Sequence, residues 1–327
     1  MTMNDARELR QLGQTGIRVT PVGLGVMEFA GGSTGLNGMI MQFPVLPQEE
    51  KNAIVKAALD GGINWFDTAE LYGNGVSERS LAAALKAAGR RNGEVVVATK
   101  WWPLLRTANN IPRTIGDRIR HLDGYDIDLY MVHQPVSFSS PEAEMNAMAD
   151  LAAAGRIRSV GVSNFDPKRM RRAHKALQSR GLKLAVNQVR YSLLSREIET
   201  NGVLETAREL GVTIIAYTPL ASGLLSGRYH RNPELLQRKS FMRRALLQRQ
   251  LEVTRPLVNA LEEVGDRHHA TPAQVALNWV ITNQGDIVVT IPGATKVQQA
   301  QESAGAMAFR LSADELARLD ELTHQKR

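Results

Sequence analysis

A carboxylate and a phenol stand five residues apart in the stretch Asp-Thr-Ala-Glu-Leu-Tyr-Gly at 67–73. The residues just before it, 63–66, form a short apolar run that predicts a buried strand. A Gly-Asn-Gly turn follows at 73–75, and a helix is predicted to start at Ser77. We therefore expect Asp67 at the end of a strand and Tyr72 in the loop beyond it.

Two further polar side chains close apolar runs in the same way. Lys100 ends the β-branched run 94–100, and His133 ends the run 127–133. If these runs are successive parallel strands, their carboxyl ends lie at one rim. Asp67, Lys100 and His133 would then point at one mouth, with Tyr72 above it.

These four residue types favour proton transfer. A free phenol has a pKa of about 10, and a neighbouring ammonium lowers that value because it stabilises the phenolate. We expect Asp67 to keep Lys100 charged, Lys100 to lower the pKa of Tyr72, and Tyr72 to act as a general acid. His133 can hydrogen-bond the same oxygen and orient it. Such a site protonates an oxygen while another agent attacks the carbon, and hydride from a bound nicotinamide would fit.

Other chemistries have less support in the sequence. The chain has no Cys, which excludes a thiol nucleophile or a thiolate metal site. The seven His are scattered, and His268-His269 has no metalloprotease context, so no metal site is predicted.

The elements that must position these residues repeat along the chain. In each repeat a helix ends at glycine, a β-branched run follows, and the run ends at a polar residue. Glycine supplies the left-handed helix cap. Continuous apolar strands are typical of a parallel sheet covered by helices. The predicted strands are 19–25, 63–67, 94–100, 127–133, 157–164, 182–188, 212–217 and 287–291. The predicted helices are 48–60, 77–88, 112–122, 141–154, 167–178, 200–210, 251–268, 272–283, 297–304 and 313–322.

This alternation predicts an α/β fold, a (β/α)8 TIM barrel with an N-terminal β-hairpin and extra helices after strand 7 and at the C-terminus. We expect a single domain over residues 1–327. The alternative is an open doubly wound sheet, which usually has a Gly-rich phosphate loop after its first strand. Gly23-x-Gly25 does not complete that fingerprint, because Glu28 stands where the third glycine belongs. The long loop at 26–47 is typical of a functional or mobile segment.

Composition limits the partners. Hydrophobic content of 43% and charged content of 22% are ordinary for a globular protein, and no apolar run is long enough to span a bilayer. The polar N-terminus shows no signal sequence, so we expect a cytoplasmic protein without a membrane partner. The net charge of +7 is concentrated in the basic segment 228–249. With only 5% aromatic residues, this segment favours phosphate binding or a solvated surface over a nucleic-acid groove.

Taken together, the motifs resemble those of the aldo-keto reductases over nearly the whole chain. The resemblance implies a catalytic tetrad of Asp67, Tyr72, Lys100 and His133. It also implies a set of cofactor-binding residues for NADPH, running from the nicotinamide to the adenosine end: Ser163, Asn164, Gln188, Tyr217, Leu224, Gly227, Arg228, Gly293, Thr295, Lys296, Gln299 and Glu302. Among these, Tyr217 would stack on the nicotinamide.

Several positions depart from the family pattern. Many NADP-using members carry Arg where this chain has Thr295 and Asn where it has Ser303. Lys296 could hold the 2′-phosphate, and NADH stays open as an alternative to NADPH. Gln134 stands where Trp is frequent.

The substrate pocket is expected to be roomy and permissive, for small aldehydes or ketones. Met27, Glu28, Trp101 and Trp102 are expected to line it. Two rival functions stay open, a nucleotide-binding regulatory subunit of the same fold with little turnover, and a Schiff-base aldolase that uses Lys100. The sequence leaves the oligomeric state open.

Overall fold

The structure, a computed structural model, describes residues 8–32, 44–238 and 241–324. The expected loop at 26–47 therefore lies partly outside the described residues. Lys239 of the basic segment also lies outside them.

An antiparallel hairpin opens the described chain, as expected. It consists of β1 (Arg10–Gln11) and β2 (Arg18–Val19). Leu12 and Val19 are fully buried in a cluster with Trp65, Met131 and Val186 of the barrel interior. The hairpin thus packs on the amino-terminal end of the barrel.

Eight parallel strands follow and confirm the (β/α)8 fold. Each strand pairs with the next one along the chain, so all carboxyl ends face the same side. In chain order they are β3 (Leu24–Gly25), β4 (Trp65–Asp67), β5 (Val96–Trp101), β6 (Leu129–Val132), β7 (Ser159–Ser163), β8 (Leu184–Arg190), β9 (Thr213–Tyr217) and β10 (Val288–Thr290).

A seam between β3 and β10 closes the ring. Val22 forms a parallel bridge with Thr290, and Gly25 forms one with Gly293. The Gly23 amide donates to the Thr290 carbonyl at 2.8 Å, and the Gly25 amide donates to the Pro292 carbonyl at 3.0 Å. Because residues from both ends of the sequence complete one barrel, we propose that the chain is a single domain.

Helices cover the outside of the strands. They are α1 (Gln48–Asp60), α2 (Val76–Ala87), α3 (Ile111–Leu122), α4 (Pro141–Ala153), α5 (Pro167–Gln178), α6 (Val203–Leu210), α7 (Arg228–Arg231), α8 (Phe241–His268), α9 (Pro272–Thr282), α10 (Val297–Gly305) and α11 (Ala313–His324). The short α7 and the long α8 are the expected additions after the seventh barrel strand, and α10 and α11 are those at the C-terminus. None of the helices within the described ranges has both the length and the apolar character needed to cross a membrane.

Helix α8 is longer than its sequence pattern predicts. The expected start was residue 251, but the helix begins at Phe241 and continues through Pro256. The ten residues 241–250 are Leu, Arg, Gln, Ala, Met and Phe, which helices tolerate well. The predicted start was wrong because the basic residues of 241–250 were interpreted as a segment outside the helix.

The barrel wall leaves no room for a side chain at Gly161 in β7. A Cβ there would lie 2.5 Å from Val186 Cγ2 and 2.8 Å from Met131 Cγ. Both neighbours are fully buried, so neither can move into solvent. The close approach of β6, β7 and β8 therefore depends on glycine.

We predict that Gly161→Ala lowers the free energy of unfolding by about 1–3 kcal/mol, the usual cost of overpacking. The matched control is Gly116→Ala in α3, where a Cβ would have no neighbour closer than 4.0 Å. Because alanine is the better helix former, that control should stabilise the protein by about 0.5–1 kcal/mol. Urea denaturation of both variants measures the difference, and equal values would contradict the packing argument.

Candidate active site

A buried ion pair joins the ends of two neighbouring strands. Lys100 of β5 and Asp67 of β4 place Nζ and Oδ1 2.5 Å apart, with side chains 0% and 2% exposed. Nζ also donates to the Thr68 carbonyl at 2.8 Å. Gln188 of β8 donates from Nε2 to the second Asp67 oxygen at 3.0 Å. Three strands are thereby connected through one carboxylate.

The loop after β4 carries Tyr72 over this pair. Its backbone continues the ladder beyond the strands, since the Glu70 amide donates to the Lys100 carbonyl at 3.2 Å. Lys100 Nζ lies 5.1 Å from the centre of the Tyr72 ring. The rings of Tyr72 and His133 meet edge to face with centres 5.6 Å apart. The structure thus brings all four predicted side chains to one mouth.

The electrostatic balance at Tyr72 differs from the expectation. Burial raises the pKa of Tyr72 well above 10, and the charges of Asp67, Glu28 and Tyr217 add to that increase. The expected lowering of this pKa by Lys100 is therefore wrong, because desolvation and the carboxylates of Asp67 and Glu28 disfavour the phenolate. Tyr72 therefore holds its proton throughout the physiological pH range.

Lys100 and His133 are shifted by the same dry surroundings. Burial lowers the pKa of Lys100, while the Asp67 carboxylate counteracts that shift. Burial and then the Lys100 charge lower the pKa of His133 well below 6.5, so its imidazole is neutral at pH 7. His133 Nδ1 is shielded from solvent and has no hydrogen-bond partner among the residues that the structure describes. The ring can therefore serve a ligand oxygen through a neutral hydrogen bond.

A second set of charged side chains anchors the loop after β4 on the side away from the mouth. The sequence analysis did not predict this set. Glu70 accepts a hydrogen bond from Arg106 Nη1 at 2.8 Å and from the Trp102 amide at 3.0 Å. Arg118 Nη1 lies 3.3 Å from Glu70, and Arg118 Nε lies 2.9 Å from Glu78. Because Glu70 stands two residues before Tyr72, these contacts set where the phenol lies. The partners come from separate segments, and the one sequence signal was an acid inside the 67–73 motif.

A row of amide and hydroxyl groups lies beside the four residues. Ser163 of β7 donates to the Gln188 carbonyl at 2.9 Å and accepts from Asn164 Nδ2 at 3.0 Å. Tyr217, at the end of β9, donates to Asn164 Oδ1 at 3.1 Å. Asn164 adopts the left-handed φ of 59°, which turns its side chain at the rim. These groups lie together as the sequence predicted.

The segment after β9 has an unusual backbone. Thr218, Ala221, Ser222 and Gly223 all have positive φ, between 47° and 90°. Strained left-handed residues outside glycine cluster at ligand-binding sites. We call the groups that follow β7, β8, β9 and β10 at the mouth the polar wall. Three further expected residues of the polar wall come after β9: Leu224, which is buried, Gly227, which precedes α7, and Arg228, which donates to Tyr229 Oη at 2.7 Å.

The opposite end of this wall is the segment after β10. Gly293 and Lys296 are exposed there. Gln299 accepts from the Thr295 amide at 2.7 Å, and Glu302 accepts from Gln298 at 2.8 Å. Polar donors, a strained turn and the cationic side chains of Arg228 and Lys296 thus follow three barrel strands, β7, β9 and β10, at their carboxyl ends. This donor set fits an anionic dinucleotide.

Comparison with known proteins agrees with this arrangement. The sequence profile described as "Aldo/keto reductase family" matches residues 21–324. The chain belongs to the aldo/keto reductase family. It is accordingly an oxidoreductase that carries out carbonyl reduction with NADP(H) as its cofactor.

Several relatives of this aldo/keto reductase are similar along most of their length. Aldo-keto reductase str7 of Strobilurus tenacellus is 31% identical, covering 97% of this chain and 92% of that protein. The chloroplastic pyridoxal reductase of Arabidopsis thaliana is 30% identical, covering 93% and 83%. The protein named aldo-keto reductase yakc (NADP(+)) of Schizosaccharomyces pombe is 30% identical, covering 85% and 84%.

Solved structures support the fold of this reductase. A thermostable aldo-keto reductase in complex with the inhibitor epalrestat superposes with a TM-score of 0.74 at 30% identity, covering 96% of this chain and 99% of that one. A glycerol dehydrogenase from Gluconobacter oxydans gives a TM-score of 0.82 at 24% identity, covering 98% and 96%, and it supports the fold alone.

The four expected pocket residues of the reductase divide into two groups. Trp102 and Met27 are partly exposed at the mouth, and the Trp102 ring lies 5.4 Å from that of His133. Trp101 is fully buried among the outer helices and donates from its indole to Asn110 at 2.9 Å. Since strand side chains alternate, an inward Lys100 places Trp101 outward. The carboxyl of Glu28 lies against Gly293, in the segment after β10.

We predict that Arg118→Leu in this reductase lowers the free energy of unfolding by about 3–5 kcal/mol, since it removes the guanidinium from buried Glu78 and leaves that carboxylate with Thr99 and His121. The control is Arg172→Leu, which removes an ion pair with Glu142 whose members are both more than 40% exposed and should change stability little. Urea denaturation compares the two. A small loss at Arg118 would show that the buried charges do not hold the loop.

Proposed function

We propose that this enzyme reduces the carbonyl group of small aldehydes and ketones with NADPH, and that Tyr72 donates the proton to the carbonyl oxygen. The observation that carries the proposal is the meeting of Tyr72, Lys100, Asp67 and His133 at one mouth, beside a wall of polar donors. When bound, the cofactor supplies a hydride to the carbonyl carbon.

A phenol with a raised pKa suits this role. It keeps its proton while the substrate oxygen is a weakly basic carbonyl, and it gives the proton up as that oxygen becomes an alkoxide. General acids placed in this way contribute about 10²–10⁴ to the rate. Burial of Tyr72 thus works against premature loss of the proton.

Lys100 stabilises the phenolate that remains. Its Nζ lies 5.1 Å from the ring centre, and it acts in a site of low dielectric where such a charge is strongly felt. Asp67 balances Lys100 and would by itself disfavour the phenolate. The amide of Gln188 donates to the same carboxylate and offsets part of its charge.

Neutral His133 orients the carbonyl. Its ring lies between those of Tyr72 and Trp102, so its rotation is limited by both. A neutral imidazole can hydrogen-bond the substrate oxygen without competing with Tyr72 as the acid. The two groups therefore define the point where the oxygen must lie.

The cofactor would lie along the polar wall. Ser163, Asn164 and Gln188 would hold the carboxamide, and the Tyr217 ring would stack on the nicotinamide. Leu224, Gly227 and Arg228 would surround the diphosphate. Gly293, Thr295, Lys296, Gln299 and Glu302 would hold the adenosine end, with Lys296 on the 2′-phosphate.

Apolar groups at the rim favour carbonyl compounds with an apolar substituent. Leu105 and Phe138 are 75% and 72% exposed, on loops that follow β5 and β6 at the carboxyl ends. The Phe138 amide donates to the Arg106 carbonyl at 2.9 Å, which joins the two loops. We infer that these side chains and Trp102 form an apolar entrance to the pocket.

The two rival functions have less support. A Schiff-base lysine must lose its proton and reach a carbonyl carbon, but Lys100 is fully buried and donates to both Asp67 and Thr68. A regulatory subunit without turnover would not need the intact set of four. Turnover of NADPH with a panel of aldehydes separates the enzyme from such a subunit.

We predict that Tyr72→Phe lowers kcat by more than about a hundredfold while the Kd for NADPH stays unchanged, because only the acid is removed. The control is Tyr125→Phe, whose hydroxyl donates to the Arg90 carbonyl far from the mouth. Steady-state rates and fluorescence titration test both variants. A Tyr72→Phe enzyme with a near-normal kcat would refute the assignment of the acid.

We predict that Lys296→Met weakens NADPH binding about tenfold and NADH binding less than about twofold, since only NADPH has the 2′-phosphate for a charge-assisted hydrogen bond. Lys183→Met is the control, because Lys183 is exposed just before β8 at the amino-terminal end of the barrel. Equal losses for the two cofactors would place the 2′-phosphate elsewhere.

A further inference from the structure

A carboxyl group lies across the proposed cofactor wall. Glu28 belongs to a short 3₁₀ turn, Met27–Ala30, that follows β3. A Cβ built on Gly293 would lie 2.2 Å from Glu28 Oε1 and 2.5 Å from Oε2. The Glu28 carboxyl therefore fills the space that a side chain at position 293 would occupy.

The backbone holds Glu28 in this place from two sides. The Gly25 amide donates to the Pro292 carbonyl at 3.0 Å, which ties the start of the turn to the segment after β10. At the other end, a Cβ on Gly73 would lie 3.1 Å from the Ala30 Cβ, so the turn also packs on the loop that carries Tyr72. Glu28 thus lies between the proposed acid and the proposed cofactor segment.

This carboxyl has no compensating cation in the described part of the chain, and a hydrogen bond from its own backbone amide favours the charged form only in part. Its Oε2 is shielded from solvent and receives no hydrogen bond. Burial raises the pKa of Glu28 to about 7, and no neighbouring cation among the described residues offsets the shift. An unpaired buried carboxyl at neutral pH is close to balanced between its charged and neutral forms.

A dinucleotide is anionic, and an ionised Glu28 against Gly293, at the proposed adenosine end, would repel its phosphates across a poorly solvated groove. A protonated carboxyl lacks that charge and can donate a hydrogen bond. The structure therefore couples two events, binding of the anion and protonation of Glu28.

We propose that Glu28 is a proton-linked gate of the dinucleotide site, so that the cofactor binds to the form with a neutral Glu28 and takes up one proton from solvent. This inference rests on the proposed placement of the cofactor. It assigns Glu28 to cofactor affinity, whereas the sequence predicted a place in the substrate pocket.

Other ionisable groups face the same region from β4, β5, β6, β9 and the segment after β10: Asp67, Tyr72, Lys100, His133, Tyr217 and Lys296. The raised pKa of Tyr72 and Tyr217 and the lowered pKa of His133 keep these three neutral around pH 7–8. The pKa of Lys100 is lowered by burial, and loss of its charge would also weaken anion binding at high pH. A Glu28→Gln variant separates this contribution, because it keeps Lys100.

The test is the Kd for NADH between pH 6 and 9, measured by fluorescence titration. NADH is chosen because the 2′-phosphate of NADPH is a phosphate monoester, which titrates near pH 6 by itself. For the native enzyme we expect Kd to rise about tenfold from pH 6 to pH 8, as linkage to one group with a pKa of about 7 requires. For Glu28→Gln, Kd should vary less than about twofold over this range, and exposed Glu49→Gln should behave like the native enzyme.

Calorimetry of the native enzyme gives a second readout that needs no variant. Titrations at pH 8 in buffers of different ionisation heat should show uptake of nearly one proton per NADH bound. The same pH dependence in native and Glu28→Gln enzymes, or no proton uptake, would overturn the gate while leaving nucleotide binding intact. No saturable binding of either NADH or NADPH in any variant at any pH would overturn both the gate and the proposed cofactor site.

Discussion

The buried ion pair between Lys100 and Asp67 is the interaction on which the rest of the site depends. In a poorly solvated interior, neither charge is tolerated without the other. Gln188 adds a contact from β8, so side chains from three strands are joined at a single carboxylate. This arrangement holds the barrel mouth in the shape that places Tyr72 and His133 around one point.

The same dry surroundings decide the charge state of the mouth. Burial and nearby carboxylates keep the phenol protonated, and burial with a neighbouring ammonium keeps the imidazole neutral. The mouth therefore holds a protonated phenol and a neutral imidazole beside the Lys100 ammonium. The charges behind it, on Glu70, Glu78 and Arg118, fix positions without facing the mouth.

The fold was largely predictable because each strand and its helix are local patterns. Helix bounds such as 48–60 and 167–178 agree with the structure, since glycine and capping residues mark them in the sequence. The predicted start of α8 was wrong because the basic residues before 251 were interpreted as an interruption of the helix. The alternation of side chains in β5 could have shown that Trp101 faces outward. The meeting of the four residues was predicted from strand order, but their roles stay proposals.

The sequence could not predict properties that depend on several neighbours from distant segments, such as pKa values and buried ion pairs. The pKa of Tyr72 depends on Glu28 and Tyr217, which the chain brings close only through barrel closure. The partnership of Glu78 with Arg118 joins two different helices. Such terms depend on distances of a few ångströms, and motif spacing does not encode them.

The seam between β3 and β10 has a consequence for biosynthesis. Its partners, such as Val22 and Thr290, lie almost the full length of the chain apart, so a ribosome must release the last strand before the ring can close. Until then β3 and β9 are open edges, and open edges are templates for pairing with other chains. Closure of this one contact thus separates a growing chain prone to aggregate from a finished protein whose described barrel strands all have a neighbour on both sides.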